Sequence, residues 1–182
     1  MKMNKKITTI ITIKEKYNFE RCFLSTKKLN CDYLVLDSFN LEDVKLFCKA
    51  HEIKYINFYK KTKNYDEMKN KAIEESNSEW LFFIDSNEAI ISGIDKLFVI
   101  ENEKAFSVCV MNQYTITKEL RLFKKSLNYK FTNSYYESII ANSKLLDVYI
   151  HSTDVLDQQN FPDKFYSCFP YPKVARQTSH VE

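Results

Sequence analysis

The chain has 182 residues, a length that suits one domain with a sizeable hydrophobic core. It is 45% apolar and 28% charged, with a net charge of +3 that is spread along the sequence. This is the composition of a soluble globular protein, and it does not predict nucleic-acid binding. The single glycine, Gly93, excludes both the phosphate-cradling loop and the G-x-G-x-x-G dinucleotide fingerprint, which need several glycines.

The five cysteines are an odd number, and no two of them have C-x-x-C spacing. A disulfide framework and a zinc site are therefore not expected, and free thiols in a reducing compartment are. No apolar run approaches the ~18 residues of a membrane span. We expect a cytoplasmic protein, either free or peripheral at the inner face of the membrane.

The first half of the chain alternates predicted strands and helices. The β-branched run ITTIITI and the run WLFFID are typical of buried strands. Between the strands, apolar residues recur at helical spacing, which predicts helices there. Asn18, Asn40 and Asn64 are predicted to cap these helices. The predicted order is strand 7–13, helix 19–29, strand 33–37, helix 41–51, strand 53–58, helix 64–76 and strand 80–85.

In the second half of the chain, the sequence pattern predicts further strands. No strong helix is predicted between the first two of them. They span 105–111, 113–123, 129–131 and 145–151, so antiparallel additions to the sheet are expected. The predicted fold is therefore α/β, with a Rossmann-like, mostly parallel central sheet and helices on both faces. One domain is expected over 1–154, divided into halves 1–90 and 91–154, and followed by a tail at 155–182.

Two of the predicted parallel strands end on an aspartate, Asp37 and Asp85. In open α/β sheets, ligands bind outside the carboxyl ends of the strands. The oxygens of Asp85, Asn87 and Glu88 would then face a ligand. Taken by its spacing alone, the stretch from Asp85 to Glu88 favours a turn instead.

Four stretches, in order and at similar spacing, carry a resemblance that spans residues 7–151. They are ITTIITIKEKYNFERCFLS, DYLVLDSFNLEDV, YDEMKNKAIEESNSEWLFFIDSNEAI and ELRLFKKSLNYKFTNSYYESI. Together they resemble family 2 glycosyltransferases of the GT-A fold, in the small bacterial branch with an LDADE-like motif. That family moves a sugar from a nucleotide-diphosphate donor to an acceptor, usually with Mn or Mg and with inversion at the sugar.

Several positions depart from the family pattern. Asn87 stands at the second position of its Asp-x-Asp motif, Lys69 replaces the arginine before Asn70, and Tyr136 replaces the histidine before Glu137. Asparagine can ligate a hard cation through its neutral oxygen but adds no negative charge. The resemblance therefore implies a degenerate Asp-x-Asp motif with weakened metal binding.

The resemblance implies a role for each matching position. Glu137 would be the catalytic base that deprotonates the acceptor, while Arg121 matches the family's R-L-F arginine without an assigned step. The donor would be bound by Thr12, Lys14, Asp37, Lys69 and Asp85. The metal would be held by Asp85, Asn87 and His151.

Three functions remain open at this point. The first is a glycosyltransferase acting on a glycan, lipid-linked or protein acceptor. The second is a non-catalytic GT-A-like module that binds a nucleotide or a partner, which the Asn87 and Tyr136 departures favour. The third, a nucleotidyltransferase, usually needs a glycine-rich loop, which this chain lacks.

Overall fold

The computed structural model describes residues 7–13, 18–59, 64–98, 104–112, 115–132 and 144–152, with side chains omitted at 98 and 144–147. Three α-helices are present in these ranges: α1 Phe19–Thr26, α2 Glu42–Ala50 and α3 Tyr65–Glu75. The strands are β1 Ile7–Ile13, β2 Asp32–Asp37, β3 Lys54–Asn57, β4 Trp80–Asp85, β5 Glu88–Ser92, β6 Ala105–Met111, β7 Ile116–Lys124 and β8 Lys144–Ser152.

The strands form one eight-stranded sheet in the order β3-β2-β1-β4-β7-β6-β8-β5. The first four in this order run parallel to one another, and β7 joins β4 antiparallel. β6 and β5 also have antiparallel partners, while β6 and β8 run parallel. The predicted α/β fold, with a parallel first half and antiparallel additions, is confirmed.

Helices cover both faces of the sheet, as expected for parallel strands that are buried on both sides. α1 and α2 pack through Phe19, Cys22 and Val44 against one apolar cluster. α3 packs through Met68 and Ala72 against a second cluster on the other face. Among the described residues, no helix is long and apolar enough to cross a membrane.

The alternating side chains of β1 and β4 divide between the two clusters. Ile11 and Ile84 face α1 and α2, while Ile10 and Phe83 face α3. Since side chains alternate along a strand, Thr12 and Asp85, each two residues further on, also lie on the α3 face. Their α-carbons are partners in the β1–β4 register.

A short turn of Ser86 and Asn87 separates β4 from β5, a strand that the sequence pattern did not predict. The Ser86 N–H donates to the Thr12 carbonyl at 2.8 Å, which extends the β1–β4 ladder by one residue. β5 then pairs with β8 and leaves β4. The turn predicted from spacing alone is therefore present, and it lies at the carboxyl edge of the sheet.

Three local predictions are wrong: the strand at 129–131 and the helix caps at Asn18 and Asn40. Residues 129–131 do not form a strand, because both backbone polar groups of Phe131 bond to the side-chain amide of Asn70. Asn18 precedes α1 but makes no capping hydrogen bond, since its backbone is left-handed with φ 76°. By contrast Asn64 caps α3 as predicted, and its side chain accepts a hydrogen bond from the Asp66 N–H at 2.9 Å.

The start of α2 is held by Asp37 and not by Asn40. Asp37 Oδ1 accepts the N–H groups of Phe39 at 2.7 Å and Asn40 at 3.0 Å. Its Oδ2 accepts the Leu41 N–H and the Tyr55 hydroxyl, at 2.7 and 2.8 Å. These four donors fill the usual acceptor capacity of a carboxylate, so Asp37 fixes the turn from β2 into α2.

We predict that Asp37→Asn lowers the free energy of unfolding by about 1–3 kcal/mol, because the introduced NH2 group would face N–H donors. Urea unfolding followed by circular dichroism measures this change. The control is Asp32→Asn at the exposed start of the same strand, where the side chain accepts a 3.4 Å bond from Ser78. Equal effects of the two substitutions would contradict the capping role.

Candidate functional site at the carboxyl edge of the sheet

Three of the predicted donor-binding residues lie at the ends of neighbouring parallel strands. Thr12 and Asp85 are register partners on β1 and β4, and Asp37 is the partner of Ile13 on β2. All three side chains are buried. The parallel register therefore brings together residues that are 25 to 73 positions apart in the sequence, at the edge where α/β sheets bind ligands.

Asp37 and Asp85 have different surroundings, although both end a strand. The Asp37 carboxylate is surrounded by three backbone N–H groups and a tyrosine hydroxyl. Asp85 Oδ2 instead lies 3.9 Å from Nη1 of Arg121, beyond hydrogen-bond distance. The two strand-terminal carboxylates therefore differ in the groups that surround them: backbone N–H groups and a hydroxyl at Asp37, and a buried guanidinium near Asp85.

Glu88 and Arg121 form a buried ion pair next to Asp85. Arg121 Nη2 donates to Glu88 Oε1 at 2.7 Å and also to Glu119 Oε2 at 2.7 Å. The other oxygen of Glu88 accepts the backbone N–H of Asp85 at 2.9 Å. Glu88 thus ties the end of β4 to β7, a role that the sequence analysis did not assign to it.

Burial raises the pKa of Glu88 to about 7, because it removes water from around the charged carboxylate. Arg121 lowers this pKa and Asp85 raises it, but desolvation is the largest effect. Burial alone would lower the pKa of Arg121, but Glu88, Glu119 and Asp85 hold it above its usual value. The guanidinium is therefore a permanent buried cation.

Arg121 lies at an irregularity in the β6–β7 pair. Phe106 is opposite Leu122 and Ser107 is opposite Leu120, so Arg121 has no register partner on β6. Leu122 packs in the cluster under α1, while Leu120 packs against the cluster under α3. Such a register shift re-aims side chains locally, and here it accompanies the turn of Arg121 toward the end of β4.

The predicted metal ligands Asn87 and His151 come from the turn after β4 and from β8. The Asn87 amide donates to Ser152 Oγ at 3.4 Å, and His151 is the register partner of Ala89 on β5. Burial, together with the positive charge of Arg21, lowers the pKa of His151, which favours the neutral form that binds metals.

The donor set determines how a divalent cation fits here. Within the described ranges, no three His, Cys, Asp or Glu side chains form a group that could hold an ion. Asp85 and Asn87 supply the oxygen ligands that Mn and Mg prefer, but only one of them carries charge. The residues therefore fit a cation whose coordination shell is completed by a ligand, and not a closed protein cage.

Lys69 is buried on α3, with its ammonium 5.0 Å from the centre of the Phe131 ring. The Phe131 ring packs against Phe83 at 5.0 Å, two residues before Asp85 on the same strand. Lys69 therefore lies on the face of the sheet that Thr12 and Asp85 share. Asn70 fixes this arrangement through its two hydrogen bonds to the Phe131 backbone, at 2.8 and 3.0 Å.

Two of the predicted site residues, Lys14 and Glu137, lie outside the described residues. The roles of Lys14 in donor binding and of Glu137 as the base remain predictions. The tail at 155–182 also lies outside the described ranges.

A separate cleft of about 430 Å³ lies at the opposite edge of the sheet. It is lined by the first residues of β1, β2 and β3, including Thr8, Asp32 and Lys54, and by the end of α3. Of the predicted donor-binding residues that the structure describes, none lines this cleft, and it is far along the strands from Asp85.

The fold is shared with solved structures of glycosyltransferases. One is Staphylococcus aureus TarS residues 1–349 in complex with UDP, with a TM-score of 0.58 and 11% identity over 81% of this chain and 61% of that chain. Another, the crystal structure of S. aureus TarS, matches with a TM-score of 0.55 and 12% identity over 82% of this chain and 37% of that one.

A third structure is the mannosyltransferase PcManGT from Pyrobaculum calidifontis in complex with GDP-Man and Mn2+, with a TM-score of 0.53 and 13% identity. That match covers 70% of this chain and 48% of the mannosyltransferase. The chain thus spans less than two thirds of the length of these proteins. No family model matches the sequence, and no curated protein matches it. The chain has the α/β fold of GT-A glycosyltransferases, with a mostly parallel sheet and antiparallel additions.

Proposed function

We propose that this chain is a glycosyltransferase that moves a sugar from a nucleotide-diphosphate donor to an acceptor. The observation that carries the proposal is the pairing of Thr12 with Asp85 at the carboxyl edge of a GT-A-type sheet. The same fold occurs in structures with UDP, UDP-GlcNAc and GDP-Man. Family 2 membership, supported by the sequence resemblance, is part of this proposal.

In this proposal the buried polar side chains bind the donor. Thr12 Oγ1 is fully buried, and the described residues provide it with no hydrogen-bond partner, so a ribose or phosphate group would satisfy it. Asp85 lies beside it and contributes acceptor oxygens. Lys69 adds positive charge on the same face, although lysine lacks the planar fork of the arginine at this position in the family.

A divalent cation, Mn or Mg, belongs to the proposal as a partner of the donor. Asp85 and Asn87 would hold it together with diphosphate oxygens, and His151 is a further predicted ligand. When bound, the cation would neutralise charge on the leaving diphosphate. Because the protein supplies little charge of its own, we expect weak metal binding in the absence of nucleotide.

The chemical step needs a base that removes a proton from the acceptor hydroxyl as it attacks the sugar. We propose Glu137 for this role and inversion as the stereochemical outcome, on the strength of the resemblance. The acceptor class is a glycan, a lipid-linked intermediate or a protein side chain. A cytoplasmic protein, peripheral at the inner face of the membrane, would fit such acceptors.

The alternative is a GT-A-like module that binds a nucleotide without catalysis. Asn87 favours it, because this neutral side chain stands where the family has an aspartate. The saturated carboxylate of Asp37 also favours it, because its four internal donors compete with a nucleobase for the same oxygens. Turnover of a nucleotide sugar separates the two functions.

We predict that Asp85→Ala abolishes the thermal shift that UDP or GDP produces with Mn present. A ligand at a hundredfold excess over its dissociation constant stabilises a protein by about 2.7 kcal/mol, so loss of binding is readily seen. The control is Asp95→Ala, an exposed carboxylate at the start of a short 3-10 helix. An unchanged shift in Asp85→Ala would remove this residue from the donor site.

Asn87→Asp is predicted to tighten metal binding, because it adds a second negative charge to the ligand set. Titration calorimetry with Mn, in the presence and absence of UDP, measures the change. The expected wild-type behaviour is weak binding alone and stronger binding with nucleotide. Tight binding of Mn to the wild-type protein alone, with no gain in the variant, would contradict the prediction.

Glu137→Gln should cut turnover by about two to four orders of magnitude, because a positioned base contributes that much to rate. Donor affinity should stay nearly unchanged, since the base acts on the acceptor. Donor-dependent sugar transfer and nucleotide calorimetry are measured side by side. If the variant retains turnover, the base lies elsewhere, and if the wild-type protein binds nucleotide without turnover, the module is supported.

A further inference from the structure

Two consecutive residues of α3, Lys69 and Asn70, both contact Phe131, which lies 61 positions after Asn70 in the chain. The side-chain amide of Asn70 donates to the Phe131 carbonyl at 3.0 Å and accepts the Phe131 N–H at 2.8 Å. The Lys69 ammonium lies over the Phe131 ring, 5.0 Å from its centre. One residue of the helix therefore holds the backbone of Phe131, and the residue before it lies against the Phe131 side chain.

The Asn70 side chain gives the Phe131 backbone the hydrogen bonds that a neighbouring strand would otherwise supply. A primary amide carries an acceptor oxygen and a donor nitrogen, so it can pair with both polar groups of one residue. Phe131 is buried and Asn70 is half-buried, so loss of these bonds would leave backbone groups unpaired at a cost to stability. Asn70 therefore fixes where the Phe131 backbone lies relative to α3.

The Phe131 ring is also fixed, through aromatic contacts with the sheet. It packs edge-on against Phe83 of β4, with the ring centres 5.0 Å apart. Phe83 in turn stacks on Phe123 of β7, with the ring centres 5.6 Å apart. The Phe131 ring thus contacts the sheet through Phe83 and α3 through Lys69, and neither contact depends on the hydrogen bonds of Asn70.

The ring contact bears on where the Lys69 charge lies. A phenyl ring attracts a cation that lies within about 6 Å of its centre, and the attraction is stronger when the pair is desolvated. Lys69 is only 5% exposed, so the attraction acts in a buried environment. An ammonium carries three N–H donors and the ring attracts the cation as a whole, so this contact is compatible with further contacts of the same group.

Lys69 and Phe131 lie beside the carboxyl edge of the sheet. Phe83, on which the Phe131 ring packs, is two residues before Asp85 on β4, which is about 7 Å along the same face. Thr12 Oγ1 on this face is buried and has no hydrogen-bond partner within the described part of the chain. Buried polar groups are nearly always paired, by protein, water or ligand, so this hydroxyl points to a polar ligand near Lys69.

We propose that Phe131 is a positioning residue, which holds the Lys69 ammonium where it contacts the diphosphate of the nucleotide donor, and that Asn70 holds Phe131 in place. This inference rests on the proposed function. A lysine has a compact charge on a flexible stem and lacks the planar fork of an arginine. The position of its charge therefore depends on the groups around the side chain, and here the Phe131 ring supplies that constraint.

The test is a double-mutant cycle on nucleotide affinity, with UDP and GDP as probes, measured by calorimetry with and without Mn. Lys69→Met should weaken binding about tenfold, because it removes a charged hydrogen-bond donor. Phe131→Leu keeps an apolar side chain but removes the ring, and should weaken binding about fivefold. In the Lys69→Met background, Phe131→Leu should have little further effect, because Phe131 acts through Lys69. A merely structural role of Phe131 would give the same loss in both backgrounds.

Two control variants complete the design. Lys71→Met removes an exposed cation from the same helix, where Lys71 pairs with Glu75 at 3.1 Å, and should leave affinity unchanged. Phe123→Leu removes another ring of the same aromatic group, and its effect should be the same with and without Lys69. If Phe131→Leu does not fold, as judged by circular dichroism, the cycle is run with Asn70→Ala and Lys69→Met under the same criterion of non-additivity.

The outcomes distinguish this inference from the function on which it rests. Additive losses in the cycle, or wild-type affinity in Phe131→Leu or in Lys69→Met, overturn the positioning role and leave the nucleotide-binding function standing. Coupling of Phe123→Leu to Lys69 as strong as that of Phe131→Leu overturns it as well. If the wild-type protein binds neither UDP nor GDP under either condition, the proposed function fails and the inference fails with it. Non-additive losses with an unchanged Lys71→Met support the inference.

Discussion

A single buried guanidinium joins the two halves of the sheet at the carboxyl end of β4. Arg121 comes from β7 in the antiparallel half, whereas Asp85 ends the last strand of the parallel half. Burying a cation is costly unless it is paired with carboxylates. Arg121 Nη2 is paired with an oxygen of Glu88 and with an oxygen of Glu119, each at 2.7 Å. The geometry of the candidate site depends on this cluster, because Glu88 accepts the backbone N–H of Asp85 and Arg121 lies 3.9 Å from its carboxylate.

The two strand-terminal aspartates have different surroundings because the chain continues differently after each of them. After Asp37 the chain turns at once into α2, and the N–H groups at the start of that helix take the carboxylate. After Asp85 the chain enters β5, which leaves toward β8. No helix begins directly after Asp85, so its carboxylate is not held by the N–H groups of a helix start as that of Asp37 is.

Asparagine, and not glycine, occupies most of the positive-φ positions among the described residues. The chain has one glycine, yet among the described residues five others have positive φ. Four of these five are asparagines: Asn18, Asn30, Asn40 and Asn128. Asparagine tolerates the left-handed region because its short side chain can bond locally. This explains why Asn18 and Asn40, which were predicted as helix caps, serve as left-handed turn residues instead.

The sequence by itself determined the alternation of strands and helices in the first half and the position of Asp85 at a strand end. These features follow from local periodicity, since β-branched and apolar runs are buried wherever they occur. It did not reveal β5, whose residues Glu88–Ser92 follow β4 after two residues and show no alternation of their own. Nor did it reveal that residues 129–131 bond to an asparagine instead of a strand.

What only the tertiary structure decided is which partner each polar side chain meets. Asp37 and Asp85 look alike in sequence, and their different roles depend on α2 and on a strand 36 residues further along, where Arg121 lies. Glu88 looked like a turn residue, yet it is the buried counter-ion of Arg121. Such pairings depend on strand order and on a register shift between β6 and β7, which no local pattern encodes because they arise from contacts distant in sequence.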